Sequence, residues 1–115
     1  MQVNLKFIMM SVCFFMLVGC SDEKIKNKPI YQKSEEIMDL LNHSQWEKAG
    51  DEAKAISDLY KKSRWKLQLL GGEMEYSELE QEISKLKISI EEKDKREAKT
   101  NIVLIQDYIK AIYFR

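Results

Sequence analysis

The chain of 115 residues is poor in the residue types that usually build catalytic sites, metal sites and tight turns. It has two cysteines, one histidine and one proline. The histidine, His43, has neither a cysteine nor a second histidine with which to complete a metal site or a catalytic pair. We therefore interpret His43 as a solvated loop residue, and we expect a non-enzymatic protein with no catalytic residue, no metal and no cofactor.

An excess of charge of one sign is also missing. The chain has 19 basic and 19 acidic residues, so it gives no electrostatic footprint for nucleic-acid binding. Many of the carboxylates fall on predicted outer helix faces at spacings typical of weak i, i+4 pairs, as in Glu91–Lys95 and Glu92–Arg96. No two acids are thereby singled out for acid/base chemistry.

A strand pattern of alternating apolar and polar residues is absent after residue 28. The only proline, Pro29, suits the first turn of a helix, and helical spacing of apolar residues dominates from there onward. The sequence therefore predicts an all-α fold. We expect a small antiparallel bundle of three to four helices over residues 30–115, after a cleaved signal peptide and a flexible tether.

No apolar run is long enough for a spanning helix. The residues from Phe7 to Val18 are almost all apolar, but about 12 residues make roughly 18 Å of helix, against about 30 Å of hydrocarbon. The modest positive charge of Met1 to Lys6 is typical of the start of a secretory signal. The run ends in Leu17-Val18-Gly19-Cys20, in which a cysteine follows a small residue.

The Leu17-Val18-Gly19-Cys20 segment resembles the lipobox of a bacterial lipoprotein precursor. This resemblance implies that residues 1–19 are removed and that Cys20 is lipidated through a thioether. The protein would then lie on the extracytoplasmic side of the cell membrane, attached by its lipid. Cys13 fits less well, since Val12 before it is bulky. An ordinary secreted protein with a free Cys20 is the alternative.

Residues 20–29 form the predicted lipidated tether. Its lysines, Lys24, Lys26 and Lys28, are candidates for contact with an anionic membrane surface, and a merely soluble linker is the alternative. Because Cys13 would leave with the signal and Cys20 would be blocked, no thiol would remain for a disulfide or a nucleophile. Packing alone would then stabilise the domain.

Two helices are predicted before the glycine pair Gly71-Gly72. The first covers Ile30 to Leu41 and buries Ile37, Leu40 and Leu41. The second begins at a capping box, Ser44 to Glu47, and ends at the glycines, which tolerate left-handed geometry. Its apolar seam has the 3.5-residue period of packed antiparallel helices: Trp46, Ala49, Ala53, Ile56, Tyr60, Ser63, Leu67 and Leu70.

Two more helices are predicted after the glycines. The third begins at a second capping box, Ser77 to Glu80, and would be about 22 Å long. The fourth begins after a break near Lys93-Asp94, where Asp94 and Glu97 repeat the cap pattern; a single long helix is the alternative. The two seams are, in order, Leu79, Ile83, Leu86 and Ile90, and then Ala98, Ile102, Ile105, Ile109 and Ile112.

A basic cluster, Lys61 to Lys66, surrounds a tryptophan that lies off the seam, Trp65. The cluster has two interpretations: a surface for lipid headgroups or an acidic partner, or charges neutralised by the helix dipole and the glutamates of the next segment. Trp65 is either covered by the tether or first helix, or an exposed anchor for a partner. Tyr113 and Phe114, at the chain end, are further candidates for partner or membrane contact.

The region from Trp46 to Ile112 resembles a family of small, uncharacterised helical bacterial lipoproteins. The resemblance rests on the opening Gln45 to Ala49, on Trp65, and on the rhythm of Leu86, Ile90, Asp94 and Ala98. That family often has an acidic-histidine stretch where this chain has Leu70-Gly71-Gly72-Glu73. The resemblance implies a shape and no established activity.

These observations predict a lipid-anchored, non-enzymatic interaction or accessory protein that binds another cell-envelope protein. A structural or sensing lipoprotein that contacts the membrane surface or cell wall through its lysines is the first alternative. An enzyme or small-ligand carrier is the second, and it would need a polar pocket between helices. A homodimer, in which a second copy fills part of the seam of the second helix, is a further alternative for the assembly.

Overall fold

A computed structural model describes residues 27–113 of the chain. They form four helices, α1 (Pro29–Asn42), α2 (Trp46–Leu70), α3 (Glu73–Glu91) and α4 (Lys95–Tyr113), with no strand in this part of the chain. The all-α prediction is confirmed. The predicted signal peptide, Cys20, Lys24, Lys26 and Phe114 lie outside the described residues.

The helices form an up-down-up-down bundle. Each helix packs against the next one, and α1 closes the ring by packing against α4. The connections are only two or three residues long, as is usual for antiparallel neighbours. At one end of the bundle lie the corners 43–45 and 92–94. At the other end lie the loop 71–72, the start of α1 and the end of α4.

The predicted seams form the core. Eleven of the predicted seam residues are buried without exception: the four of α3, the five of α4, and Ile37 and Leu41 of α1. Five of the eight predicted seam residues of α2 are also buried. Leu40 and Trp46 are only partly buried, and Leu70 is 43% exposed. Each fully buried aliphatic side chain contributes roughly 1.5–3 kcal/mol, so the seam is the main source of stability.

The first corner corrects the predicted capping box at Ser44. Ser44 has φ 54°, in the left-handed region, and the helix begins after Gln45 without a side-chain cap. The Ser44 N–H donates to the Leu41 carbonyl at 3.0 Å, and the Gln45 N–H donates to the Leu40 carbonyl at 2.9 Å. This pair of bonds is a Schellman motif, so Ser44 ends α1 instead of capping α2.

The second corner confirms the break between the third and fourth helices. Lys93 has φ 54°, and the N–H groups of Lys93 and Asp94 donate to Ile90 and Ser89 in the same Schellman pattern. Asp94 Oδ1 then accepts from the Glu97 N–H at 3.1 Å, which is the predicted cap of α4. Lys95 Nζ donates to Ser44 Oγ at 2.9 Å and joins the two corners.

The glycine loop ends α2 as predicted, but for a different reason. Gly71 has φ −113°, so it does not use the left-handed region. A Cβ at Gly71 would lie 2.9 Å from Cγ1 of Ile112, so glycine is needed there for close approach to α4. The capping box at Ser77 was wrong, because α3 begins at Glu73 and Ser77 lies inside it. With 19 residues, α3 is about 28 Å long.

Candidate interaction surface

Four large apolar side chains are exposed around the loop that joins α2 to α3. We call this group the apolar cluster: Trp65 (66% exposed), Leu69 (78%), Leu70 (43%) and Met74 (76%). Together they expose on the order of 400 Å² of apolar surface, and a patch of that size on a monomer is often functional. The cluster is therefore the first candidate for an interaction surface.

The cluster is uncovered because Trp65 and Leu69 face away from the seam, on the part of α2 that extends beyond α1. Both helices start from the corner 43–45, and they contain 25 and 14 residues. At 1.5 Å per residue, α2 extends roughly 16 Å beyond α1. Trp65 and Leu69 are also one turn apart on the side of α2 away from the seam, where no described helix lies over them.

Trp65 is therefore not covered by the first helix, whereas the tether, the other predicted cover, lies outside the described residues. Leu69 and Met74 were missed as candidate residues. Their signal was present, since both flank the Gly71-Gly72 pair and neither belongs to a seam. To predict that Leu69 and Met74 are exposed, one also needs the lengths of α1 and α2 relative to each other. The seam pattern does not give these lengths.

Four exposed basic side chains, Lys61, Lys62, Arg64 and Lys66, flank the cluster on α2. None of them takes part in the four ion pairs found among residues 27–113. The expected neutralisation through contacts with glutamates of α3 is thus not formed at ion-pair distance. The basic face of α2 stays open to solvent in this part of the chain.

On α3 the cluster has acidic neighbours. Glu73 and Glu78, together with Ser77, line a shallow depression around Met74. Both glutamates lie in the first two turns of α3, where negative charge also complements the helix dipole. The apolar cluster therefore has a basic side on α2 and an acidic side on α3.

Tyr60 holds these two sides in register. Its hydroxyl donates to the Tyr76 carbonyl at 3.1 Å and lies 3.4 Å from Oε2 of Glu80. Burial, with a smaller effect of the Glu80 charge, raises the pKa of Tyr60 to about 12. Because Tyr60 is only 3% exposed, this contact fixes the last turns of α2 beside the first turns of α3.

The N-terminal segment joins the bundle at the same end. Lys28 Nζ lies 4.3 Å from the centre of the Tyr113 ring, and Lys110 Nζ lies 5.9 Å from that of Tyr31. Burial raises the pKa of Tyr113. Lys28 and Tyr113, predicted as a membrane-surface residue and a partner-binding residue, therefore contact each other, and both are partly buried.

His43 lies at the end of α1, away from the cluster, and is exposed. Its Nδ1 is 2.9 Å from the Asp39 carbonyl oxygen and 3.6 Å from Oδ1 of Asp39. This position agrees with a solvated loop residue. Residues 27–113 contain no group of three or more potential metal-binding side chains, and none of their helices has the length and apolar character to span a membrane.

A buried polar network between α3 and α4 was not predicted. The side-chain amide of Asn101 donates to Oε2 of Glu82 at 3.0 Å, and the Ser89 hydroxyl donates to Oδ1 of Asn101 at 2.8 Å. All three residues are at most 6% exposed. Each of them directly precedes an isoleucine of the seam in the sequence, so the apolar spacing predicts a position beside the buried face of the helix. The network fixes the register of α3 against α4.

Polar contacts also fix α1 against its neighbours. Lys33 Nζ lies 2.7 Å from Oε2 of Glu52 on α2, and this ion pair holds the pKa of Glu52 below its usual range and that of Lys33 above it. The side-chain amide of Gln106 on α4 donates to the Ser34 hydroxyl at 3.0 Å. These contacts serve the bundle, and none lies at the apolar cluster.

Comparison with known families places the chain in one of them. The model of the family described as "Domain of unknown function (DUF4363)" matches residues 23–114, which is most of the chain. The chain therefore belongs to the DUF4363 family. This agrees with the expected membership of an uncharacterised family, while the lipid anchor at Cys20 stays a prediction. Among curated proteins and solved structures, none shows significant similarity to the chain.

Proposed function

We propose that this DUF4363 protein is a lipid-anchored, non-enzymatic interaction protein that binds another protein of the cell envelope on the extracytoplasmic side. The observation that supports this most strongly is the apolar cluster. Large aromatic and aliphatic side chains in the centre of an interface provide most of its binding energy. Trp65 and Leu69 would be that centre.

The lipid anchor in this proposal rests on the lipobox-like Leu17-Val18-Gly19-Cys20. Two acyl chains would hold the protein stably on a membrane. If Cys20 is the attachment point, Lys28 is eight residues further along the chain, and that length reaches at most about 29 Å. Since Lys28 contacts Tyr113, the end of the bundle with the apolar cluster would lie near the bilayer.

Metabolic labelling with palmitate tests the anchor. We expect the full chain to incorporate the label and Cys20→Ser to abolish the incorporation. Cys13→Ser is the matched control, and we expect it to incorporate the label like the parent. Incorporation that survives Cys20→Ser would contradict the lipid anchor.

In-cell crosslinking tests the interaction. A photoreactive amino acid at position 69 should capture one dominant envelope protein, identified by mass spectrometry after detergent extraction. The same residue at position 103, where Val103 is 47% exposed on α4, should not. Trp65→Ala should lower the yield at position 69 by about tenfold, as expected for the loss of a central aromatic contact. Equal capture at both positions would contradict the proposed surface.

A membrane-surface lipoprotein is the second candidate function. The open basic face of α2 favours it, because each lysine or arginine near an anionic leaflet contributes about 1 kcal/mol. The acidic side of the cluster, at Glu73 and Glu78, weighs against it. Salt-sensitive sedimentation of unacylated protein that lacks residues 1–20 with anionic vesicles would support this candidate over the first.

A further inference from the structure

We infer that the occupant of the apolar cluster is a second copy of this chain, which packs against it about a two-fold axis beside the membrane. This inference rests on the lipid anchor and the interaction surface of the proposed function, and it makes the bound envelope protein a second copy of this chain instead of an unlike protein. A two-fold contact brings the same surface of both copies together, so that surface must be complementary to itself. The charges around the cluster meet this condition.

The two sides of the cluster carry opposite charges. Residues 61–70 of α2 contain four basic residues and no acidic one, and residues 73–80 of α3 contain four acidic residues and no basic one. The basic set forms no ion pair among residues 27–113. In a two-fold pair the basic side of each copy would meet the acidic side of the other.

The heights of the two sides also fit such a pair. The Tyr60–Tyr76 hydrogen bond sets the end of α2 beside the start of α3, so both charged sides lie at the same level of the bundle. Two copies whose tethers start at the same end of the bundle can stand parallel to each other on one membrane. A two-fold axis along the bundle then brings each α2 beside the other copy's α3 at matching heights.

This charge pattern favours a second copy over the other occupants. An anionic membrane would attract the basic side and repel Glu73 and Glu78, whereas a second copy satisfies both sides at once. Shared anchoring would also raise the effective concentration of the copies. Even a weak contact between exposed charges and four apolar side chains would then form on the membrane.

Cysteine crosslinking of the full chain in cells tests the contact. Leu69→Cys should give a covalent dimer with a short bifunctional thiol reagent, because residue 69 of each copy lies within the interface, and Val103→Cys should not. Capture of a different protein by position 69, without self-capture, would overturn this inference and leave the proposed function standing. Absence of any protein crosslink at position 69 would overturn both.

Charge exchange gives the sharper test. One variant carries Lys62→Glu and Lys66→Glu, and the other carries Glu73→Lys and Glu78→Lys. Each variant alone, in the Leu69→Cys background, should lose about tenfold of its dimer yield, because like charges then face each other. Coexpressed with different tags, the two variants should form the mixed dimer at nearly the original yield, since each altered side meets its new complement.

The mixed dimer separates a second copy from every other occupant. Neither a lipid surface nor an unlike protein would restore crosslinking between two differently charged variants. Circular dichroism should show both variants folded, with the helical content of the parent. The Glu73→Lys, Glu78→Lys variant should melt somewhat below the parent, because it reverses the charge at the start of α3, where negative charge complements the helix dipole. Failure of the mixed dimer to form, with both variants folded, would contradict the two-fold pairing.

Discussion

The two ends of the bundle differ in how completely their polar and apolar groups take part in contacts within the chain. At the end with corners 43–45 and 92–94, which we call the closed end, two Schellman motifs pair the last helical carbonyls, and Lys95 joins the corners through Ser44. At the end with loop 71–72, the open end, Trp65, Leu69, Leu70 and Met74 remain exposed. The closed end uses its polar groups for folding and exposes one large apolar side chain, Ile88, whereas the open end exposes four.

This difference shows where function can be sought in a protein without a recognisable reaction centre. Exposed apolar surface is unfavourable in water by about 25 cal/mol per Å². At the open end, exposed apolar surface lies beside basic residues that form no ion pair among residues 27–113. The core at this end is filled by Leu67 and Ile112, which are both buried. We expect stability to depend on the seam at both ends and binding to depend on the outer face at the open end alone.

The largest expected effect separates two leucines in the last turn of α2. Leu67 is 1% exposed and Leu69 is 78% exposed. Leu67→Ala should lower the free energy of unfolding by about 2–5 kcal/mol, because it leaves a cavity in the seam. Leu69→Ala should change it by less than about 0.5 kcal/mol. Urea denaturation of both variants measures this, and similar losses would contradict the assignment of Leu69 to a free surface.

A pH-dependent loss of stability is expected from Tyr60 at the open end. Its pKa is raised to about 12 in the folded protein, from 10.0. The unfolded chain therefore ionises first, and the stabilisation, complete below pH 10, declines as the pH rises towards 12. A shift of two units corresponds to about 2–3 kcal/mol.

The matched control for this prediction is Tyr60→Phe. All other ionisable groups are common to both proteins, so their effects cancel in the comparison. The difference in unfolding free energy between parent and variant should thus shrink from pH 9 to pH 12. A constant difference would show that the folded and unfolded states ionise Tyr60 alike.

The seam was predictable because burial of a helical stripe imposes a period on the sequence. Leu79, Ile83, Leu86 and Ile90 are all buried as their spacing predicts, and Asp94 caps α4 as expected. The capping boxes failed at Ser44 and Ser77 because a serine three residues before a glutamate also fits other local structures. At Ser44 the Schellman bonds of α1 prevailed, and at Ser77 the chain was already helical.

The apolar cluster was only partly predictable because exposure depends on neighbours distant in sequence. Trp65 was identified because it lies off the seam. Whether the first helix or the tether covers it depends on the positions of segments that are distant from it in sequence. Asn101 and Glu82 were missed for the same reason, since a polar residue beside a seam looks exposed until its partner is known. The period of the apolar residues predicts which face of a helix is buried, but it does not predict which residues of other helices lie against that helix.

Two glycines, Gly50 in α2 and Gly71 in the loop that follows it, provide the next test. Gly71→Ala should lower the free energy of unfolding by about 1–3 kcal/mol, because the new Cβ would lie 2.9 Å from Cγ1 of Ile112. Gly50→Ala should raise it by about 0.5–1 kcal/mol, because the nearest atom, Cγ2 of Ile90, is 3.8 Å away and alanine favours a helix interior. Thermal melts of both variants should shift in opposite directions. A loss of stability in Gly50→Ala would contradict the unstrained contact expected between the new Cβ and Ile90.

The smallest expected effect lies at the closed end. Lys93 and Ser44 both have φ 54°, a conformation that costs a residue with a Cβ roughly 1 kcal/mol and glycine almost nothing. Lys93→Gly should therefore stabilise the bundle by about 0.5–1 kcal/mol. Ser44→Gly should gain less, because it also removes the hydroxyl that accepts from Lys95. Chemical denaturation can resolve this ranking, and equal gains would show that the Lys95–Ser44 contact contributes no stability. Since both residues lie at the end away from the apolar cluster, dimer yield at position 69 should not change in either variant, which would separate the folding role of the closed end from the binding role of the open one.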